Sequence, residues 1–322
     1  MRQRQPGPAI ADNRVRAQLI RYREKAGLLQ SDVMKSLDWS ASKIHRVENG
    51  PSRVQTADVL LLLPLYGIDD AKERERLIEL ARASRMPGIS TRYKKIFTKE
   101  FLEYLDYEAF AGHIVDYETK FIPGVLQIGG YAEAVNATLT ADEEEIILRT
   151  DARNERTQLL LDPEGPAYEF IIDEAALHRA FGSTDQPWSA KYDTMTRLID
   201  NLKALNTAGL QDGDLLSSNA ARINPNVSIR IVPLEWDVYE AYTGPFVLLD
   251  FDEPDDRPIV YLEYPDAEKL TSEQKEVDRY RRLFEELRSS VPGPEKTNEL
   301  LDYIKGTYSE RLQRSPLRPD AR

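Results

Sequence analysis

The chain has 322 residues, 41% of them hydrophobic, a formal net charge of -12 and no cysteine. That length predicts roughly two domains, each with enough apolar content for a packed core. Without cysteine there is no disulfide framework, thiolate nucleophile or cysteine-held zinc; with no run near the ~20 apolar residues of a membrane span and no apolar signal segment at the N-terminus, a soluble cytoplasmic protein is expected.

The charge is unevenly placed. Residues 1–66 hold eleven Lys and Arg against six Asp and Glu, a local +5, which leaves -17 for the remaining 256. A small basic module on an acidic body can still bind phosphates, because exposed charges are screened beyond ~8 Å at physiological salt. The acidic body is expected to lower non-specific affinity.

In chain order, Met1 to Pro8 reads as a polar arm carrying Arg2 and Arg4. Ala9 to Ala26 has Val15, Leu19 and Tyr22 at helical spacing among basic residues, with Gly27 as the stop. Leu28 to Gly50 then holds two short helical patterns, Gln30 to Leu37 and Ala41 to Asn49, joined only by Asp38-Trp39-Ser40. Such a tight connection predicts a helix-turn-helix. With Ile44 and Val47 inward, a 100° step per residue puts Ser42, His45, Arg46 and Asn49 on the opposite face, where they can reach base edges and phosphates. Ser40 is a good N-cap for the second helix. A turn at Pro51-Ser52-Arg53 leads into Thr56 to Tyr66, whose run Val59 to Leu63 predicts a helix buried on several sides. Asp69 to Arg85 reads as a charged connector helix, and Met86 to Ser90 as a joint, placing a boundary near residue 88.

The second half opens with the aromatic-rich stretch Phe97 to Phe110, a forced turn at Pro123-Gly124 and helices at 130–139 and 141–161. Strand patterns follow at Tyr168 to Asp173, Ser228 to Pro233, Pro245 to Phe251 and Ile259 to Tyr264, with helices at Tyr192 to Leu205 and Ser272 to Arg288. Asn206 to Asn226 reads as a mobile polar loop, Glu295 to Gln313 as a last helix and Ser315 to Arg322 as a disordered tail. Strands joined by helices and long loops predict an α+β domain on a small sheet. The predicted fold is thus α+β overall: an all-α helix-turn-helix domain over 9–67, a connector over 68–88, an α+β domain over 89–314 and a tail over 315–322.

Two resemblances refine this. Gln30, the S-K-I-x-R-x-E-N-G run from Ser42 to Gly50 and the preceding arginine-rich helix resemble the XRE class of helix-turn-helix domains, the phage-repressor type. The resemblance implies that Ala41, Ser42 and Arg46 face bases, that Gln30, Lys43 and Asn49 hold phosphates, and that Arg23 forms a structural ion pair with Glu48. Asp38 stands where that class has a turn glycine, and Met34 where it has alanine. In the second half, I-P-G-V-L-Q at Ile122 to Gln127 with Tyr131, I-D-E-x-x-L at Ile172 to Leu177, R-I-V-P at Arg230 to Pro233, G-P-F at Gly244 to Phe246 and V-Y-x-E at Val260 to Glu263 are similar, in that order, to the C-terminal domain of the WhiJ-like or antitoxin-like XRE regulators. This implies a transcriptional regulator that binds a double-stranded DNA operator through helix 41–49 and is controlled through its C-terminal domain. It also implies pairing with a small partner protein encoded nearby, with a small-molecule effector as a further candidate. Homodimerisation is expected because one helix reads few bases. The alternative is an antitoxin-like interaction module whose main act is to bind that partner.

The residues give catalysis little support. His45, His113 and His178 are scattered, and no H-E-x-x-H, G-x-S-x-G, P-loop or dinucleotide glycine pattern occurs. Asp173-Glu174 reads as a strand-end helix cap. No enzyme activity, metal or cofactor is expected. The aromatics of the second half read first as core; the other reading is a ligand or partner pocket formed by Tyr107, Tyr117, Pro123, Gln127 and Tyr131.

Overall fold

A computed structural model of the chain describes residues 7–50, 52–86, 92–181, 186–210, 224–236, 244–253, 256–264 and 267–313. Its contacts define two compact units, Met1–Ala111 with Asp250–Ile259, and Gly112–Leu249 with Val260–Arg322. Most of the expected N-terminal arm, the joint around residue 88 and the tail from 315 lie outside the described residues.

The first unit is helical: α1 (Pro8–Lys25), α2 (Gln30–Leu37), α3 (Ala41–Asn49), α4 (Thr56–Leu65), α5 (Ala71–Ala83) and α6 (Lys99–Glu108). Pro8 sits in the first turn of α1, where its missing N–H is not needed. Gly27, at φ 70°, ends that helix, and the Leu28 N–H returns to the Arg23 carbonyl at 3.1 Å. One core collects Val15 and Leu19 of α1, Val33 of α2, Ile44 and Val47 of α3, Val59, Leu62 and Leu63 of α4, and Leu77 and Ala81 of α5. The run Val59 to Leu63 is buried on one side, through Val59, Leu62 and Leu63, and not on several as its composition suggests. Leu60 and Leu61 are 47% and 49% exposed, because a 3.6-residue period laid on one core face turns adjacent positions outward.

The second unit is built on a six-stranded mixed sheet in the order β3-β2-β1-β4-β5-β6. Its strands are β1 (His113–Glu118), β2 (Ala167–Asp173), β3 (Val227–Val232), β4 (Phe246–Asp250), β5 (Ile259–Tyr264) and β6 (Ala267–Thr271). β1 to β3 are mutually parallel and β5 pairs antiparallel with β6. The helices are α7 (Gly129–Leu139), α8 (Glu143–Leu161), α9 (Glu174–His178), α10 (Trp188–Leu210), α11 (Gln274–Ser290) and α12 (Pro294–Gln313). α11 lays Val277, Tyr280, Phe284 and Leu287 on a sheet face formed by Val115, Tyr117, Ile171, Phe246, Leu248 and Val260. The architecture is α+β, as its strand and helix patterns predict.

α10 runs through Leu210, so the polar stretch expected to be a loop from Asn206 begins as helix. Asn206 is fully buried. Its amide donates to the Pro294 carbonyl at 2.8 Å and to Asn298 Oδ1 at 3.0 Å, and its oxygen accepts the Ile229 N–H at 2.9 Å. A satisfied buried amide thus joins α10, β3 and α12. Residues 211–223 lie outside the described residues.

The sheet carries acid where burial opposes it. Asp116 and Glu118 share one face of β1, and Glu263 stands opposite Glu268 in the β5–β6 register. Burial, then the charges of Asp116 and Glu263, hold the Glu118 carboxyl well above its ordinary range. A carboxyl raised in the folded state keeps its proton longer than in the unfolded chain. Its stabilising contribution is therefore full below the unfolded value and is lost as pH rises through the folded one. The second unit is expected to melt lower as pH climbs above the ordinary carboxylate range, and Glu118→Gln to flatten that dependence. Melting curves of the two proteins through this rise check it; a parent that gains stability with rising pH contradicts it.

Candidate nucleic-acid interface

α2 and α3 are joined by Asp38, which takes the left-handed conformation at φ 54° and ψ 44°. Asp is among the few non-glycine residues that tolerate this region, which explains how it replaces a turn glycine. Ser40 Oγ accepts the Lys43 N–H at 3.2 Å and caps α3. At the other end, a Cβ on Gly50 would lie 2.4 Å from Arg46 Cα, so only glycine fits where the chain leaves the helix.

α3 buries Ile44, Val47 and Glu48. Ala41, Ser42, His45, Arg46 and Asn49 are all exposed, as is Ser40. Arg46 Nε donates to the Ser42 carbonyl at 3.2 Å, which leans the side chain along the helix and leaves its terminal nitrogens for an outside acceptor. Lys43 is differently placed. Its Nζ meets Asp58 Oδ2 of α4 at 2.5 Å and lies 5.0 Å from the centre of the Trp39 ring. Gln30 is half-buried, with its amide donating to Glu48 Oε2 at 2.8 Å.

Two polar clamps hold the back of α3. Arg23, on α1, meets Glu48 through Nε at 2.7 Å and Nη2 at 3.2 Å, and donates through Nη1 to the Leu28 carbonyl at 2.9 Å. Glu48 thus ties α1, α2 and α3 together. Arg16, two turns earlier on α1, donates to the Arg46 and Val47 carbonyls, each at 2.7 Å, and to that of Ser52. These carbonyls belong to the last turn of α3 and the segment after it, where a cation also meets the negative helix end. Asp12 completes the clamp: one carboxylate oxygen accepts Arg16 Nε at 2.7 Å and the other the Val54 N–H at 2.9 Å. In the sequence Arg16 is one of several basic residues spread along this helix. Its i,i+4 spacing from Asp12, beside the core positions Val15 and Leu19, was the available sign.

The five residues considered for a pocket are divided between the two units. Tyr107 lies in the first unit, whereas Tyr117, Pro123, Gln127 and Tyr131 lie in the second. Tyr117 packs against Phe246 with ring centres 5.8 Å apart. Tyr131 Oη accepts the Ile122 N–H at 3.2 Å, and the Gln127 amide donates to the Ile122 carbonyl at 2.7 Å. The I-P-G-V-L-Q run is therefore a self-braced turn. Asp173 caps α9 by accepting the Ala175 N–H at 2.8 Å, while Glu174 takes His178 Nε2 at 2.8 Å and the Leu234 N–H at 2.9 Å.

A short helix clamped from behind, capped at its N-terminus and lined outward with Ser, His, Arg and Asn is built to enter a DNA groove, and the chain is a DNA-binding helix-turn-helix protein. Residues 14–77 match the model of a helix-turn-helix domain. The chain belongs to the family defined by the domain of unknown function DUF5753, whose model matches residues 101–203 and 218–303. No curated protein and no solved structure matches it.

Proposed function

We propose that the chain is a sequence-specific transcriptional regulator of the XRE class, with Ala41, Ser42 and Arg46 reading base edges and Gln30, Lys43 and Asn49 holding phosphates. The supporting observation is the exposure of Ser42, His45, Arg46 and Asn49 on a helix whose buried side is doubly clamped. Lys43 reaches a phosphate by exchanging Asp58 for it, which moderates its contribution. The working form is a cytoplasmic homodimer on two half-sites about one helical turn apart, since a second copy doubles the bases read. The 89–314 domain acts by receiving a partner protein or small molecule, with no chemical step of its own.

Footprinting on the DNA upstream of the chain's own gene tests this reading, followed by titration of that duplex and a scrambled one. Arg46→Ala is expected to weaken operator binding by roughly 1–3 kcal/mol and to relax base choice. Lys43→Ala is expected to weaken both duplexes alike and to reduce the salt slope by about one. Equal losses on both duplexes for both variants would remove the base-reading assignment.

A further inference from the structure

The DUF5753 match begins at residue 101, yet the compact first unit extends to Ala111 and takes in Asp250–Ile259 as well. Two pieces of the C-terminal family domain are thus built into the unit that carries the helix-turn-helix. The second is an insertion between sheet strands β4 and β5, and it is fixed to α1. Arg14 Nε and Nη2 meet the two oxygens of Asp256 at 2.7 and 2.8 Å, and Asn13 Nδ2 donates to the Arg257 carbonyl at 3.1 Å. The Asp256 side chain is only 2% exposed and that of Arg14 23%, so this bidentate pair is largely shielded from water and salt.

Position along α1 gives the pair its meaning. Asn13 and Arg14 stand between Asp12 and Arg16, the two residues that clamp the carbonyl end of α3 and the Val54 N–H. A shift of Asp256 and Arg257 therefore pulls on the turn of α1 that sets the recognition helix. We propose that Asp256 and Arg14 are positioning residues for DNA reading: the β4–β5 insertion completes the reading unit, and the C-terminal sheet acts on α3 through it. This rests on the DNA-reading role of α3 and adds to it the route of control.

The test uses the full-length chain with Asp256→Asn, which keeps the shape and removes the charge. Two readouts are taken from the same folded protein. Hydrogen exchange at the Val54 amide reports the Asp12 clamp directly, with the amide of Val33 in the core of α2 as the internal reference. Affinity for the duplex upstream of the chain's own gene, divided by that for a scrambled duplex, reports reading. The expected result is Val54 exchange faster by about tenfold with Val33 unchanged, and a specificity ratio lower by about tenfold at an unaltered salt slope, a size typical of residues along a coupled network. Val54 and Val33 rising together, or neither moving, would overturn the proposal and leave the pair as packing alone. Should Asp256→Asn not fold, Asn13→Ala removes only the bond to the Arg257 carbonyl and is read the same way. A parent protein that fails to distinguish the two duplexes would count against DNA reading, while the exchange at Val54 would still decide the linkage.

Discussion

Arg16→Met is expected to destabilise the first unit by about 3–5 kcal/mol, the cost of removing one partner from a buried, hydrogen-bonded charge pair. The methionine stem fills part of the space but donates nothing. Asp12 then keeps a buried carboxylate without its nearest cation, and the Arg46, Val47 and Ser52 carbonyls lose their shared donor. Urea unfolding followed through Trp39, in a background with Trp188 and Trp236 replaced by phenylalanine, isolates this unit from the other. A loss under about 1 kcal/mol, the scale of an exposed pair, would show that Arg16 is not the clamp described. The variant is also expected to bind DNA poorly even where it remains folded, because the last turn of α3 is no longer held to α1.

Glu48→Ala should cost about 3–5 kcal/mol by the same physical route, since it strands the buried Arg23 guanidinium and releases the Gln30 amide. The two variants differ in what repairs them. Arg23 and Glu48 form a closed pair, so the double replacement Arg23→Met with Glu48→Leu should recover most of the loss, as apolar groups of similar volume often do at buried ion pairs. The same urea titration checks it. A double variant as unstable as Glu48→Ala would mean that the pair contributes through something other than its mutual charge.

The helix-turn-helix could be read in the sequence because local rules agree there. Caps, apolar spacing and a three-residue turn all point one way, and α2 and α3 begin and end where those rules put them. Strands β2 to β5 were visible for the same reason, as short β-branched and aromatic runs between turn residues. β1 and β6 were not. β1 carries Asp116 and Glu118 inside a six-residue strand, and β6 is the polar run Ala267 to Thr271, so neither shows a clean apolar pattern. The outward face of α3 follows from a 100° step, whereas the partners of Lys43, Arg16 and Arg14 do not. Asp58, Ser52 and Asp256 are 15, 36 and 242 residues away, and only the tertiary fold selects which of many carboxylates and carbonyls a cation meets.

The outer strand β6 has a consequence for how the C-terminal unit can meet other molecules. It is short and presents Glu268 and Lys269 in succession, the latter locked to Glu276 of α11 by both carboxylate oxygens at 2.7 Å. Charges of this kind make a poor template for an incoming extended chain, so the sheet is guarded on that side against polymer growth and against capture of a foreign strand. An extended visitor is thereby turned away at this edge of the sheet.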